Sequence, residues 1–109
     1  MEDVKQQVRE LMNSHRVVLF MKGTPQFPTC GFSSRAAQIL KACGVKDFKH
    51  VNVMMEPPEL CQAVCDYGHW PTWPQLYVGG ELIGGADIMT EMYQSGELQQ
   101  KLAGAPQTA

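Results

Sequence analysis

"VVLFMKGTPQFPTCGFSSRAAQILKACG", residues 17–44, decides the architecture of this chain. Its five apolar residues Val17–Met21 read as a buried strand, closed by Lys22 and Gly23. A loop with two prolines, "GTPQFP", leads to Cys30. From Gly31 to Cys43 the alanines, Ile39 and Leu40 read as a helix, and Gly44 stands at the favoured stop position just beyond it. Strand, loop and helix in this order put Cys30 between the carboxyl end of a strand and the first turn of a helix. Unpaired N–H groups and the positive end of the helix dipole favour an anion there. A thiolate is such an anion, and the setting lowers a cysteine pKa below its free value of roughly 8.5. Lys22 can add positive charge nearby. A dithiol redox protein would carry a second cysteine three places on, where this chain has Ser33.

Outward from that segment, Val4, Val8, Leu11 and Met12 recur at helical spacing, which predicts an amphipathic helix over residues 2–14. "FKHVNV" (48–53) reads as a second strand. "EPPELCQAVCDYG" (56–68) has prolines where a helix starts and glycine where it stops, with Leu60, Val64 and Tyr67 on one stripe. "PQLYVGGELIGG" (74–85) predicts two four-residue strands around a tight turn at Gly79-Gly80. Asp87 reads as the N-cap of a helix through Ile88, Met89 and Met92, broken at Gly96, and Leu98 and Leu102 predict one more helical piece. The order is α, β, α, β, α, β, β, α, α. The early β-α-β implies a parallel pair joined by a right-handed crossover, and the hairpin adds an antiparallel pair. The expected fold is α/β, one mixed four-stranded sheet with helices on both faces.

At 109 residues the chain is expected to form one domain around a single core. Nine Lys and Arg against eleven Asp and Glu give net charge −2, too balanced for a phosphate-driven nucleic-acid binder. The longest aliphatic run, "VVLFM", is far too short to span a bilayer. Glu2 and Asp3 are unlike the start of a secretory or mitochondrial leader. The cysteines at 30, 43, 61 and 65 contain no C-x-x-C pair, which disfavours a zinc ribbon, and the apolar content makes a disulfide framework unnecessary. A reducing intracellular compartment is expected, whether cytoplasm or an organelle such as mitochondrion or chloroplast. Cys43 and Cys65 read as packed small hydrophobes, and Cys61 stays open between packing and chemistry.

Two further stretches bear on a site. "HWPTWPQ" (69–75) places two prolines ahead of a strand, which forces an extended or turned backbone and leaves the isomer at Pro74 undecided. Its tryptophans read as core or rim packing and His69 as a surface residue. "IGGAD" (83–87) offers glycines that let a ligand approach the backbone.

Taken together, "MKGTPQFPTCGFS" (21–33), "WPTWPQLYVGGELIGGAD" (70–87) and "MYQSGEL" (92–98) resemble the monothiol glutaredoxins of the CGFS class, which have a thioredoxin-like fold. The resemblance covers about residues 2–103 and leaves a short C-terminal tail. It implies that Cys30 is the active cysteine and an iron ligand, and that Lys22 binds a carboxylate of glutathione. It implies that Pro74 is cis, so that the backbone at Thr72 and Trp73 pairs with the glutathione peptide. Gly85, Ala86 and Asp87 match the helix start that receives the γ-glutamyl end. It further implies a [2Fe–2S] cluster bridging two protomers with two glutathiones, a dimer when loaded and a monomer when empty. A role as cluster carrier or scaffold follows, with BolA-like proteins and iron–sulfur recipient proteins as partners and neither nucleic acid nor membrane. The alternative is a monothiol oxidoreductase that removes glutathione from protein mixed disulfides, with weak activity at most. Two positions depart from the family: Ala86 stands where cysteine is common, and Cys61 where an arginine is common. The resemblance implies that the third helix brings its first turn near the glutathione groove.

Overall fold

Every residue of Val17–Met21 (β1) is buried, because β1 is a central strand covered on both sides. The computed structural model describes residues 2–104, so the expected C-terminal tail lies outside the described residues from 105 onward. Around β1 stand α1 (Glu2–Ser14), α2 (Gly31–Ala42), β2 (Lys49–Asn52), a single 3-10 turn at Val53–Met55, α3 (Pro58–Gly68), β3 (Gln75–Val78), β4 (Glu81–Gly84), α4 (Ala86–Ser95) and α5 (Glu97–Gly104). The sheet order is β2-β1-β3-β4. β1 pairs parallel with β2, as a helical crossover demands, and antiparallel with β3, which pairs antiparallel with β4 through the Gly79-Gly80 turn. The mixed four-stranded sheet with helices on both faces is thus the expected one.

The two-residue period of β1 divides the core. Val17, Leu19 and Met21 pack with Leu76 and Val78 of β3 and with α2, α4 and α5. Val18 and Phe20 face the other side, against Val8 and Met12 of α1, Leu60 and Val64 of α3, and Tyr77. Phe20 meets Tyr77 edge-on, with ring centroids 5.6 Å apart, and Trp73 at 6.2 Å. Each such buried aromatic stabilises the fold by about 1.5–3 kcal/mol, so the strand that leads to Cys30 is firmly anchored.

One helix start differs from expectation, and one helix stops at the expected residue but turns at the next. Asp87 is not the N-cap of α4: the helix starts at Ala86 with Gly85 as its cap, and Asp87 lies in the first turn, where a carboxylate still meets the positive end of the dipole. The chain can enter the helix early because Gly84 turns with φ +147°. At the end of α3, Gly68 is still helical and His69 takes the left-handed conformation (φ 53°). Gly68 is needed bare for another reason, since a Cβ there would collide with the Tyr77 hydroxyl. His69 is exposed, as expected.

Candidate functional site

β1 ends at Met21, and the following loop folds back on itself before α2 begins. The Thr29 N–H donates to the Lys22 carbonyl at 3.1 Å, and the Phe27 N–H to the Thr24 carbonyl at 3.0 Å. This closure requires glycine at 23, where φ is +90° and a Cβ would lie 2.5 Å from the Phe27 carbonyl oxygen. Cys30 then caps α2 with extended backbone (φ −151°, ψ 137°), its carbonyl accepting the Ser34 N–H at 2.9 Å. Ser33, at the position where a dithiol protein would have its second cysteine, is fully buried. Its hydroxyl accepts the Lys22 N–H at 2.9 Å and so ties the first turn of α2 to the end of β1.

The Cys30 thiol is half-exposed. It makes no capping hydrogen bond in its neutral form. As a thiolate it faces a converging set of dipoles and charges that lowers its pKa. The largest influence is the Ser33 N–H; burial, next in size, opposes it, and the Phe32 N–H, the Lys22 ammonium and the Ser33 hydroxyl then add to the lowering. The other three thiols move the opposite way, each chiefly because burial penalises the charged form. Cys43 packs at the edge of the α2–α4–α5 core, and the Cys65 sulfur receives the Gln75 amide at 3.6 Å. Cys61, open between packing and chemistry in the sequence, packs in the structure. Its S–H donates to the Val53 carbonyl at 3.4 Å beside the α1–α3 core, and its side chain does not line the cleft next to Cys30. The 3-10 turn at Val53–Met55 takes that thiol as its neighbour instead.

A cleft of about 600 Å³ opens beside Cys30. It gathers the residues that the family resemblance implies for glutathione and iron: Lys22 and Cys30 from the end of β1 and the start of α2, Thr72, Trp73 and Pro74 from the loop before β3, and Gly85, Ala86 and Asp87 from the start of α4. The Trp73–Pro74 peptide is cis. Neither the N–H nor the C=O of Trp73 is hydrogen-bonded among the described residues. At the far end the start of α4 lines the cleft, and its N-cap Gly85 has no side chain to take up the N–H groups of the first turn; the Asp87 carboxylate accepts from Arg35 at 3.4 Å. Phe32, Trp70, Pro71 and Ile88 complete the lining, and none of them was assigned to a site from the sequence. Phe32 had a detectable signal, as an aromatic in the first turn of the helix that Cys30 caps. Trp70 and Ile88 look like ordinary packing residues in the sequence.

A cysteine with a lowered pKa and no cysteine partner in the first turn of its helix, beside a peptide-sized cleft on a four-stranded mixed sheet with helices on both faces, defines a protein of the thioredoxin-like fold with one cysteine at its site. Relatives bear this out. The glutaredoxin family profile matches residues 17–83. A protein named probable monothiol glutaredoxin, from Legionella pneumophila, is 53% identical over 88 residues, covering 81% of this chain and 97% of the relative. The holo form of poplar glutaredoxin C1 superposes with a TM-score of 0.85 at 30% identity, covering 99% of this chain and 94% of that one. A buckwheat glutaredoxin–glutathione complex gives 0.81 at 26% identity, over 95% and 93% of the two chains. The chain belongs to the glutaredoxin family, among its monothiol members.

Proposed function

We propose that residues 2–103 form one glutathione-binding domain that carries a [2Fe–2S] cluster between two copies of the chain. The observation that carries the reading is the solitary, charge-stabilised thiol of Cys30 at the mouth of a cleft whose two ends favour anions. Glutathione is a peptide with a carboxylate at each end, an ammonium beside one of them, and a thiol between. Lys22 would hold the glycine carboxylate as a point charge. The unpaired N–H and C=O of Trp73, with Thr72 and Pro74 shaping the loop, would pair with the peptide. The N–H groups at Gly85, Ala86 and Asp87 would take the γ-glutamyl carboxylate, and the Asp87 side chain the ammonium. The glutathione thiol would then lie beside Cys30.

The cluster is cargo in this reading. A [2Fe–2S] unit needs four thiolate-type ligands. No group of three or more His, Cys, Asp or Glu among the described residues is arranged to hold a metal, and Cys30 is the one thiol whose pKa is lowered, so one chain would offer a single suitable thiolate. Two Cys30 thiolates and two glutathione thiolates complete the set, which fits the donors present. A shell that is half non-protein suits passing the cluster on to recipient proteins, with BolA-like proteins as further partners. The four free thiols accord with a reducing compartment. Among the described residues no helix is long and apolar enough to cross a membrane.

The test is anaerobic purification with glutathione, followed by the visible absorption spectrum, iron and sulfide analysis, and light scattering. A coloured dimer with one cluster per two chains and a colourless monomer are expected. A loaded monomer holding one cluster and two glutathiones would overturn the reading. A second reading is favoured by the openness of Cys30 and by serine at position 33. Here the Cys30 thiolate attacks a protein–glutathione mixed disulfide, takes the glutathionyl sulfur and releases the protein thiolate. Free glutathione thiolate then attacks that bond, regenerating Cys30 and leaving as glutathione disulfide. Turnover on a glutathionylated peptide by protein that never takes up iron would favour this reading.

A further inference from the structure

Gln75, the first residue of β3, is fully buried, an uncommon place for a primary amide. Such a group needs partners for two N–H bonds and a carbonyl oxygen. Its Nε2 donates to the Trp70 carbonyl at 2.9 Å and to the Thr72 carbonyl at 3.1 Å. Its Oε1 accepts the Tyr77 hydroxyl at 2.8 Å. Both short bonds from the NH₂ group therefore end in the loop that walls the cleft. They have two consequences. The Thr72 carbonyl is occupied inside the protein, while the N–H and C=O of the next residue, Trp73, are left unpaired among the described residues. The Trp70 backbone is also held where its indole abuts Gly85, the cap of α4: a Cβ on Gly85 would lie 3.4 Å from Trp70 Nε1 and 3.3 Å from the Pro74 carbonyl oxygen. One buried amide thus reaches two walls of the cleft.

We infer that Gln75 is a positioning residue for peptide recognition. It makes Trp73 the residue whose backbone the loop offers to an extended peptide, and it seats Trp70 against the helix start that borders the other end. Gln75 itself touches no ligand. The inference rests on the cleft being the glutathione site. A loop shaped in advance binds without the entropy cost of ordering, so removing the brace should weaken glutathione binding about tenfold.

Four apo proteins test it by calorimetric titration with glutathione, with circular dichroism for folding and tryptophan emission for the loop: the parent, Gln75→Leu, Gln75→Glu and Tyr77→Phe. Tyr77→Phe removes the bond at the other end of the same buried chain without touching the loop. Both Gln75→Leu and Tyr77→Phe should melt earlier. Only Gln75→Leu should lose about tenfold in affinity and red-shift its emission. Gln75→Glu supplies a second route should the leucine variant not fold. A buried carboxyl is pushed towards its neutral form, whose single O–H can donate to one loop carbonyl. Its affinity relative to the parent should therefore recover as pH falls. Binding by folded Gln75→Leu within twofold of the parent, an equal loss in Tyr77→Phe, or a Gln75→Glu ratio independent of pH would overturn the inference. Should the parent bind no glutathione, the ligand reading falls separately, and the emission shift alone then decides: unchanged emission in Gln75→Leu overturns the brace.

Discussion

Helix α2 carries a cysteine at each end, Cys30 as its N-cap and Cys43 as its C-cap. The two thiols are chemically identical and are only one short helix apart, yet their pKa values move in opposite directions. At the start of the helix the Ser33 and Phe32 N–H groups and the Lys22 ammonium face the sulfur and favour its anion. At the end the N–H groups are spent inside the helix, and Cys43 instead packs against apolar neighbours, which favours its neutral form. Proximity along the chain therefore says nothing about reactivity, whereas the helix end does. Cys61 and Cys65 of α3 fall on the Cys43 side of this division.

The harshest way to break the comparison is to remove each thiol in turn. Cys30→Ser should abolish reconstituted cluster, while Cys43→Ser and Cys65→Ser retain it, as read by visible absorbance and bound iron. Comparable loss in either control would end the distinction. Next in size are the glycines flanking the helix, both at positive φ. Gly23→Ala meets backbone atoms on top of its strained φ and should cost about 1–3 kcal/mol or more. Gly44→Ala meets nothing within 4 Å and should cost only about 1 kcal/mol. Thermal unfolding of the two variants measures the gap, and equal losses would mean that the loop before Cys30 is less tightly closed than its hydrogen bonds indicate.

Titration of reactivity sharpens the comparison without any mutation. Mass-spectrometric alkylation should label Cys30 first near neutral pH, about tenfold faster than the other three, with a midpoint below roughly 8.5. The stability linkage has opposite signs at the two ends of α2. Cys30 has a depressed folded pKa, so its contribution is present above the unfolded value and lost as pH falls through the folded one. Cys43 has a raised folded pKa, so its contribution is complete below the unfolded value and lost as pH rises through the folded one. Cys43→Ser should accordingly lose less stability than the parent between about pH 8 and 10, and Cys30→Ser more. Simultaneous labelling of Cys30 and Cys43 would remove the electrostatic asymmetry.

The smallest expected effect concerns Cys61, where the family resemblance implies an arginine. Cys61→Arg should tighten glutathione binding several-fold, on the order of 1 kcal/mol, because an arginine can reach outward from α3 and hold a carboxylate with two bonds. Cys61→Ser should change affinity little. The arginine variant also loses the thiol contact with Val53, so a small drop in melting temperature is expected alongside the gain. No gain in calorimetry would mean that Lys22 and the α4 start already hold the peptide by themselves.

Local pattern alone determined a good deal of this protein. The apolar run of β1, the Gly-Gly turn between β3 and β4, and the stop at Gly44 are written in neighbouring residues, and so is the placement of Cys30 at a helix start. These features depend on interactions between residues a few positions apart, which is the range that periodicity and turn chemistry report. Helix ends were less legible. Asp87 looked like a cap because its side chain suits one, but the turn at Gly84 lets α4 begin one residue earlier. Gly68 looked like a stop and α3 does end there, but the left-handed turn falls on His69, and Gly68 is bare because of the Tyr77 hydroxyl from β3. Tertiary structure alone decided the cleft. Lys22, Trp73 and Asp87 meet around Cys30 because β3 pairs with β1 and α4 follows β4, contacts that join residues more than fifty positions apart. The same pairing buries Gln75, whose sequence shows only a polar residue opening a strand. Whether such an amide is an expense or a brace depends on which carbonyls the folded chain brings to it, and no local signal carries that information.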